Sequence, residues 1–153
     1  MIWGAIGWDY KSLLVFLEKE EGTKGVNSRV YRDQVLQPIV FPLFDQLGTE
    51  YIFMEDGSKI HKGDARLAKL QYQIKGFDWP PSLSDLNVIE KVWRWIKEQL
   101  KKLPFVPTSK EVLCKEIQRL WEQVDPRDYR RYTERLTCKL EDVIAVRGLA
   151  TIH

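Results

Sequence analysis

One stretch constrains the chain more than any other. From Asp85 onward, Leu86, Ile89, Val92, Trp93, Ile96, Leu100 and Leu103 recur every three to four residues, the period of an α-helix with one buried stripe. Such a helix must lie on an apolar partner, so the rest of the chain has to supply a core. With residues spaced at ~100°, Glu90 falls about a quarter turn from the centre of the apolar arc. Arg94, Lys97 and Lys101 come nearly in line with it. Glu90 therefore stands where core meets solvent, at the head of a basic stripe.

The chain can build that core. It has 153 residues, 44% of them hydrophobic, and six each of Trp, Tyr and Phe, which fits one ordinary domain and excludes disorder as a whole-chain state. The longest apolar runs, 13–17 and 38–44, fall well short of the ~18 to 20 residues that cross a bilayer. No membrane partner is expected. The opening MIWGAIGWDYKS lacks the basic, apolar and small-residue regions of a signal peptide and reads as the middle of a strand. Cys114 and Cys138 stand outside any CxxC spacing and read as small buried hydrophobes of a reduced, intracellular protein.

Ahead of the long helix, residues 2–6 and 13–17 read as two strands of a hairpin, with Gly7, Asp9 and Lys11 between them. Asn27 or Ser28 can cap a helix carrying Val30, Tyr31, Val35 and Leu36 on one side, which Pro38 and Pro42 should break or kink before Gly48 ends it. Residues 51–54 form an apolar run long enough for a buried strand, stopping at the two acids Glu55 and Asp56. Next come a modest helix over 64–73, a short strand over 76–79 and a stiff connector at Pro80, Pro81 and Ser82. Beyond the long helix, Thr108 with Glu111 makes a capping-box pattern. The helix it opens runs through Val112, Leu113, Ile117, Leu120, Trp121 and Val124. Asp125 with Pro126 opens a further helical stretch toward Gly148.

Charge is unevenly spread. Residues 1–60 hold six basic and nine acidic side chains, whereas 61–153 hold eighteen and thirteen. Lys91, Arg94, Lys97, Lys101 and Lys102 form one basic cluster and Arg127, Arg130, Arg131, Arg135 and Lys139 a second. Such clusters can recruit a polyanion, and they can equally be solvated helix faces with i,i+4 pairs.

Asp56 at a strand's end and Glu90 in the first turns of a helix are the residue types that hold hard divalent cations. A two-metal site uses such cations to stabilise the attacking and leaving oxygens of a phosphodiester displacement. Position alone leaves other readings open: a strand-end Asp also forms turns, and Glu90 can pair with Arg94. His61 can contact a phosphate, position a ligand or be polar surface. Asp85 can be a helix cap or a spare ligand, and Trp93 and Trp95 can be core or stack on bases.

Two motifs carry a family resemblance. YIFMEDGSKIH, residues 51–61, resembles the second catalytic block of Tc/mariner-type transposases: an apolar strand, an Asp, a small or polar stretch, and a His five residues on. DWPPSLSDLNVIEKVWRWIK, residues 78–97, resembles their third block, in which WPP, Asp-Leu-Asn and Ile-Glu precede an amphipathic helix with Trp. MIWGAIGWDYKSLLVFLE resembles the preceding hairpin, with Trp3 and Gly4 kept.

The resemblance implies a DDE-type endonuclease with a ribonuclease H-like α/β fold, a mixed sheet flanked by helices. It also implies metal-dependent strand cleavage and transfer at an Asp, Asp, Glu/Asp site holding Mg²⁺ or Mn²⁺. By motif match Asp56 is the second acid and Glu90 the third, with 33 residues between them. DNA is the implied partner, met by Arg94, Lys97, Lys101, Arg130 and His61, in the nucleus and in a possible homo-oligomer.

The family's first Asp lies on a strand upstream of the Trp-Gly pair and has no counterpart within these residues. Asp9, in the hairpin turn, is no substitute. Nor is the helix-turn-helix that reads terminal repeats present. The expectation is thus a partial endonuclease core over 1–103, lacking the first strand, with a helical C-terminal extension over 104–153. It should bind metal poorly and not cut DNA alone. The family's prolines are replaced by Ser84 and Val88, which should loosen the loop that aims Glu90. A decayed or co-opted remnant, binding DNA or another protein through its basic half, is the competing expectation.

Overall fold

The computed structural model describes residues 1–48, 50–76 and 87–134. The fold is mixed α/β and divides into two compact units, one of residues 1–4 and 12–87, the other of 5–11 and 88–153. The WPP motif, Ser84, Asp85, Arg135, Cys138, Lys139 and the stretch toward Gly148 lie outside the described residues.

In the first unit the expected hairpin is present but its strands are short. β1 (Ile2–Trp3) pairs antiparallel with β2 (Val15–Phe16), Ile2 opposite Phe16 and Trp3 opposite Val15. The Asn27 carboxamide caps α1 (Ser28–Tyr31), accepting from Val30 N–H at 2.9 Å. The two prolines downstream do not break the helical run. α1 continues as a π-helical stretch, Arg32–Val40, with Pro38 inside it, and then as α2 (Phe41–Leu47), with Pro42 in its first turn. Pro38 has no N–H for an α-type bond, and a wider turn accommodates that loss. Phe41 N–H reaches back five residues to Leu36 O. Gly48, at φ 81°, ends the run. Tyr31, Val35 and Leu36 are fully buried and form the core with Leu17, Val30, Val40, Phe41 and Ala65.

Among the described residues the run expected as a buried strand makes one parallel bridge, Phe53 to Gly76, with α3 (Asp64–Gln71) as the helical crossover between its two sides. Phe53 packs edge-on to Phe44 at 5.9 Å, whereas Tyr51 and Ile52 are exposed. An apolar run fixes burial only where neighbours cover its faces, and here Phe53 is the one packed against the core among the described residues, while Tyr51 and Ile52 face solvent. α3 ends in a Schellman turn: Gln73, at φ 59°, donates to Leu70 O, and Ile74 donates to Lys69 O.

In the second unit α4 (Ile89–Lys101) buries Val92 and Ile96, and α5 (Lys110–Gln123) buries Ile117, Leu120 and Trp121. Trp93 stacks on Trp121 at 5.3 Å, which makes it a packing residue. The cap of α5 is Ser109, accepting from Val112 N–H at 3.3 Å, and not Thr108. The two hydroxyls are adjacent, and Ser is the stronger cap. Lys11 closes the other end, its ammonium donating to the carbonyls of Trp121, Glu122 and Val124 at 2.9, 3.1 and 2.5 Å, where the helix dipole favours a cation. Asp125 caps the 3₁₀ turn Pro126–Tyr129, and Arg127 beside it holds its carboxyl down at about 2. No helix among the described residues is long and apolar enough to cross a membrane.

Candidate functional site

Glu55 and Asp56 come after Phe53 and Met54 at the end of the bridged segment, and the structure sends the two carboxylates to different environments. Asp56 is exposed. Its Oδ1 accepts from Ser58 N–H at 2.9 Å and lies 2.9 Å from His61 Nδ1, so it both shapes the turn and meets the histidine. The 3₁₀ turn Lys59–His61 brings that ring back. Nδ1 also stands 3.1 Å from Asp56 O, and the ring lies 4.7 Å from Tyr31's, tilted by 54°. With only 14% of its side chain exposed, His61 is a packed residue and not loose polar surface.

Glu55 turns inward. Its Oε1 accepts from the Tyr31 hydroxyl at 2.7 Å, and its Oε2 pairs with the Lys69 ammonium. Lys69 in turn reaches His61 O at 3.4 Å. Burial, reinforced by the Glu55 carboxylate, pushes the Tyr31 hydroxyl well above its ordinary pKa, so Tyr31 stays a neutral donor. Tyr31, Glu55 and Lys69 come together from α1, the bridged segment and α3. The sequence signals for them are slight: the Glu-Asp pair at the strand's end, and a lysine on the helix after it.

Glu90 belongs to the other unit. It sits half-buried in the first turn of α4, as its place on the helical wheel predicts. On the same helix Arg94, Lys97 and Lys101 are exposed and, among the described residues, pair with no acid. Arg130 is already engaged: its guanidinium pairs with Asp9 and lies 5.6 Å from the Trp8 ring. Arg131 and Lys91 both face Tyr132, at 4.9 and 5.9 Å.

Among the described residues no three His, Cys, Asp or Glu side chains gather as a ready metal centre. The donor chemistry nevertheless suits a hard cation. Asp56 and Glu90 each offer carboxylate oxygens, and a Mg²⁺ ion on few protein ligands keeps most of its waters.

Residues 5–113 match the model of one protein family, described as DDE superfamily endonuclease. No curated protein matches the chain.

Proposed function

The chain belongs to the DDE superfamily endonucleases, and from that membership we propose that it carries the second and third catalytic acids, Asp56 and Glu90, of a Tc/mariner-type transposase. Endonucleases of this superfamily act on DNA and use divalent metals such as Mg²⁺. The observation that carries the reading is the outward presentation of Asp56 beside His61, in a motif whose spacing to Glu90 is close to that of the transposases it resembles. The bound metal would polarise a phosphodiester and activate its attacking oxygen. Asp56 and Glu90 would hold it by carboxylate oxygen. A ribonuclease H-like sheet fits the hairpin and the parallel bridge across α3.

The basic stripe of α4 favours a second reading of residues 1–153 by themselves, as a DNA-binding module that does not cut. Arg94, Lys97 and Lys101 face solvent with their charges uncommitted among the described residues, as phosphate contacts require. Three such contacts make affinity fall about 40-fold between 50 and 200 mM salt. A fluorescence-anisotropy salt titration on duplexes of unrelated sequence should give that slope and little sequence preference. The triple variant Arg94→Glu, Lys97→Glu, Lys101→Glu should lose both the binding and the slope. Affinity that is flat with salt, or confined to one sequence, contradicts the assignment of this stripe to DNA.

A further inference from the structure

Adjacent acids at the end of a strand pose a problem for a metal site, because both carboxylates are near enough to compete for the cation. The structure separates them. Asp56 faces solvent, whereas Glu55 is largely covered. Each Glu55 oxygen then has its own partner, the Tyr31 hydroxyl on one and the Lys69 ammonium on the other. Tyr31 is fully buried in the core, on α1. Lys69 and Glu55 are largely covered, with 14% and 13% of their side chains exposed. This clamp lies one residue from Asp56 and touches the same turn twice more: Lys69 reaches His61 O, and the His61 ring packs on Tyr31.

We propose that Glu55 is the positioning residue for Asp56. Held on both oxygens by Tyr31 and Lys69, it fixes the backbone at the end of the bridged segment. Asp56 is thereby presented outward in one orientation, braced by Ser58 N–H and His61. Lys69 also neutralises Glu55, so the second carboxylate does not draw the cation away from Asp56. The clamp spans three separate elements, α1, the bridged segment and α3, so none of them can shift without disturbing the turn. Partners that orient a ligating carboxylate contribute to metal affinity although they never touch the ion. The inference rests on the proposed reading of Asp56 as a metal-holding acid.

The test is Mn²⁺ titration of residues 1–153, monitored by paramagnetic broadening of backbone amide signals around 56–61 and of the His61 ring. In Glu55→Gln and in Lys69→Met the apparent affinity should drop about tenfold, and the His61 ring signals should move as the contact with Asp56 loosens. Lys69→Arg, which keeps the ion pair, should stay near wild type. Tyr31→Phe gives a further variant, should Glu55→Gln prove poorly folded. If the folded variants bind Mn²⁺ as wild type does and lose only melting temperature, Glu55 is a structural residue and the proposal is overturned. If Asp56→Asn, which leaves the clamp intact, binds Mn²⁺ unchanged, the reading of Asp56 itself fails.

Discussion

Supercoiled plasmid incubated with residues 1–153 and Mg²⁺ or Mn²⁺ should remain uncut, and a polypeptide that also carries upstream sequence with a strand-borne Asp should nick it. The difference is all-or-none because the acids act as one unit. In the transposases that the chain resembles, a first Asp would join Asp56 and Glu90 in holding the metal. Without it the attacking and leaving oxygens would lack a placed cation, and that electrostatic stabilisation would be the largest part of such a rate enhancement. Adding more metal does not replace a missing ligand. In the longer polypeptide Asp56→Asn and Glu90→Gln should each abolish nicking, since deleting one member of a cooperating set costs nearly as much as deleting all. A longer polypeptide that stays inactive favours the remnant reading. Reverting Ser84 and Val88 to Pro then tests whether the aim of Glu90 was lost. Nicking by residues 1–153 alone, abolished by EDTA, contradicts the need for the first acid.

The second large effect is on folding. Trp121→Ala should destabilise the protein by about 3–5 kcal/mol, the usual cost of truncating a buried aromatic. Trp121 is 2% exposed and stacks on Trp93. It also lies at the end of α5 where its carbonyl accepts from Lys11. Its removal opens a cavity between α4 and α5 and takes the stacking partner from the helix that carries Glu90. Equilibrium urea unfolding monitored by circular dichroism measures the loss. Because domains of this size are stable by only about 5–15 kcal/mol in total, the variant should be marginal at 25 °C. A cost below about 1 kcal/mol contradicts the central place given to this pair.

Signals that act over a few residues were legible in the sequence. The Asn27 cap, the Asp125 cap ahead of Pro126, the long α4 and the place of Glu90 at its margin all stem from side-chain type and helical period within one or two turns. Choices decided by small local differences were less so. Ser109 and Thr108 compete for the same cap, and Pro38 sits inside a helix that widens where a break or kink is expected. Contacts between distant parts of the chain left almost no trace. Lys11 caps a helix more than a hundred residues away, and Glu55 meets Tyr31 at a separation of 24 residues and Lys69 at 14. A lysine that closes a helix, or one that neutralises a buried acid, looks in sequence like any surface lysine. The proposed roles of Asp56 and Glu90 rest on motif resemblance. Periodicity and spacing placed them on a segment end and a helix margin, which many non-functional carboxylates share.

The most direct measurement of the central claim is calorimetric titration of Mn²⁺ into residues 1–153, Asp56→Asn and Glu90→Gln under identical conditions. A hard cation held by two carboxylates keeps most of its waters and binds weakly, so the wild-type heat should be small but measurable and should shrink in each variant. Equal affinity in the wild type and both variants would contradict the assignment of Asp56 and Glu90 as the metal-holding acids.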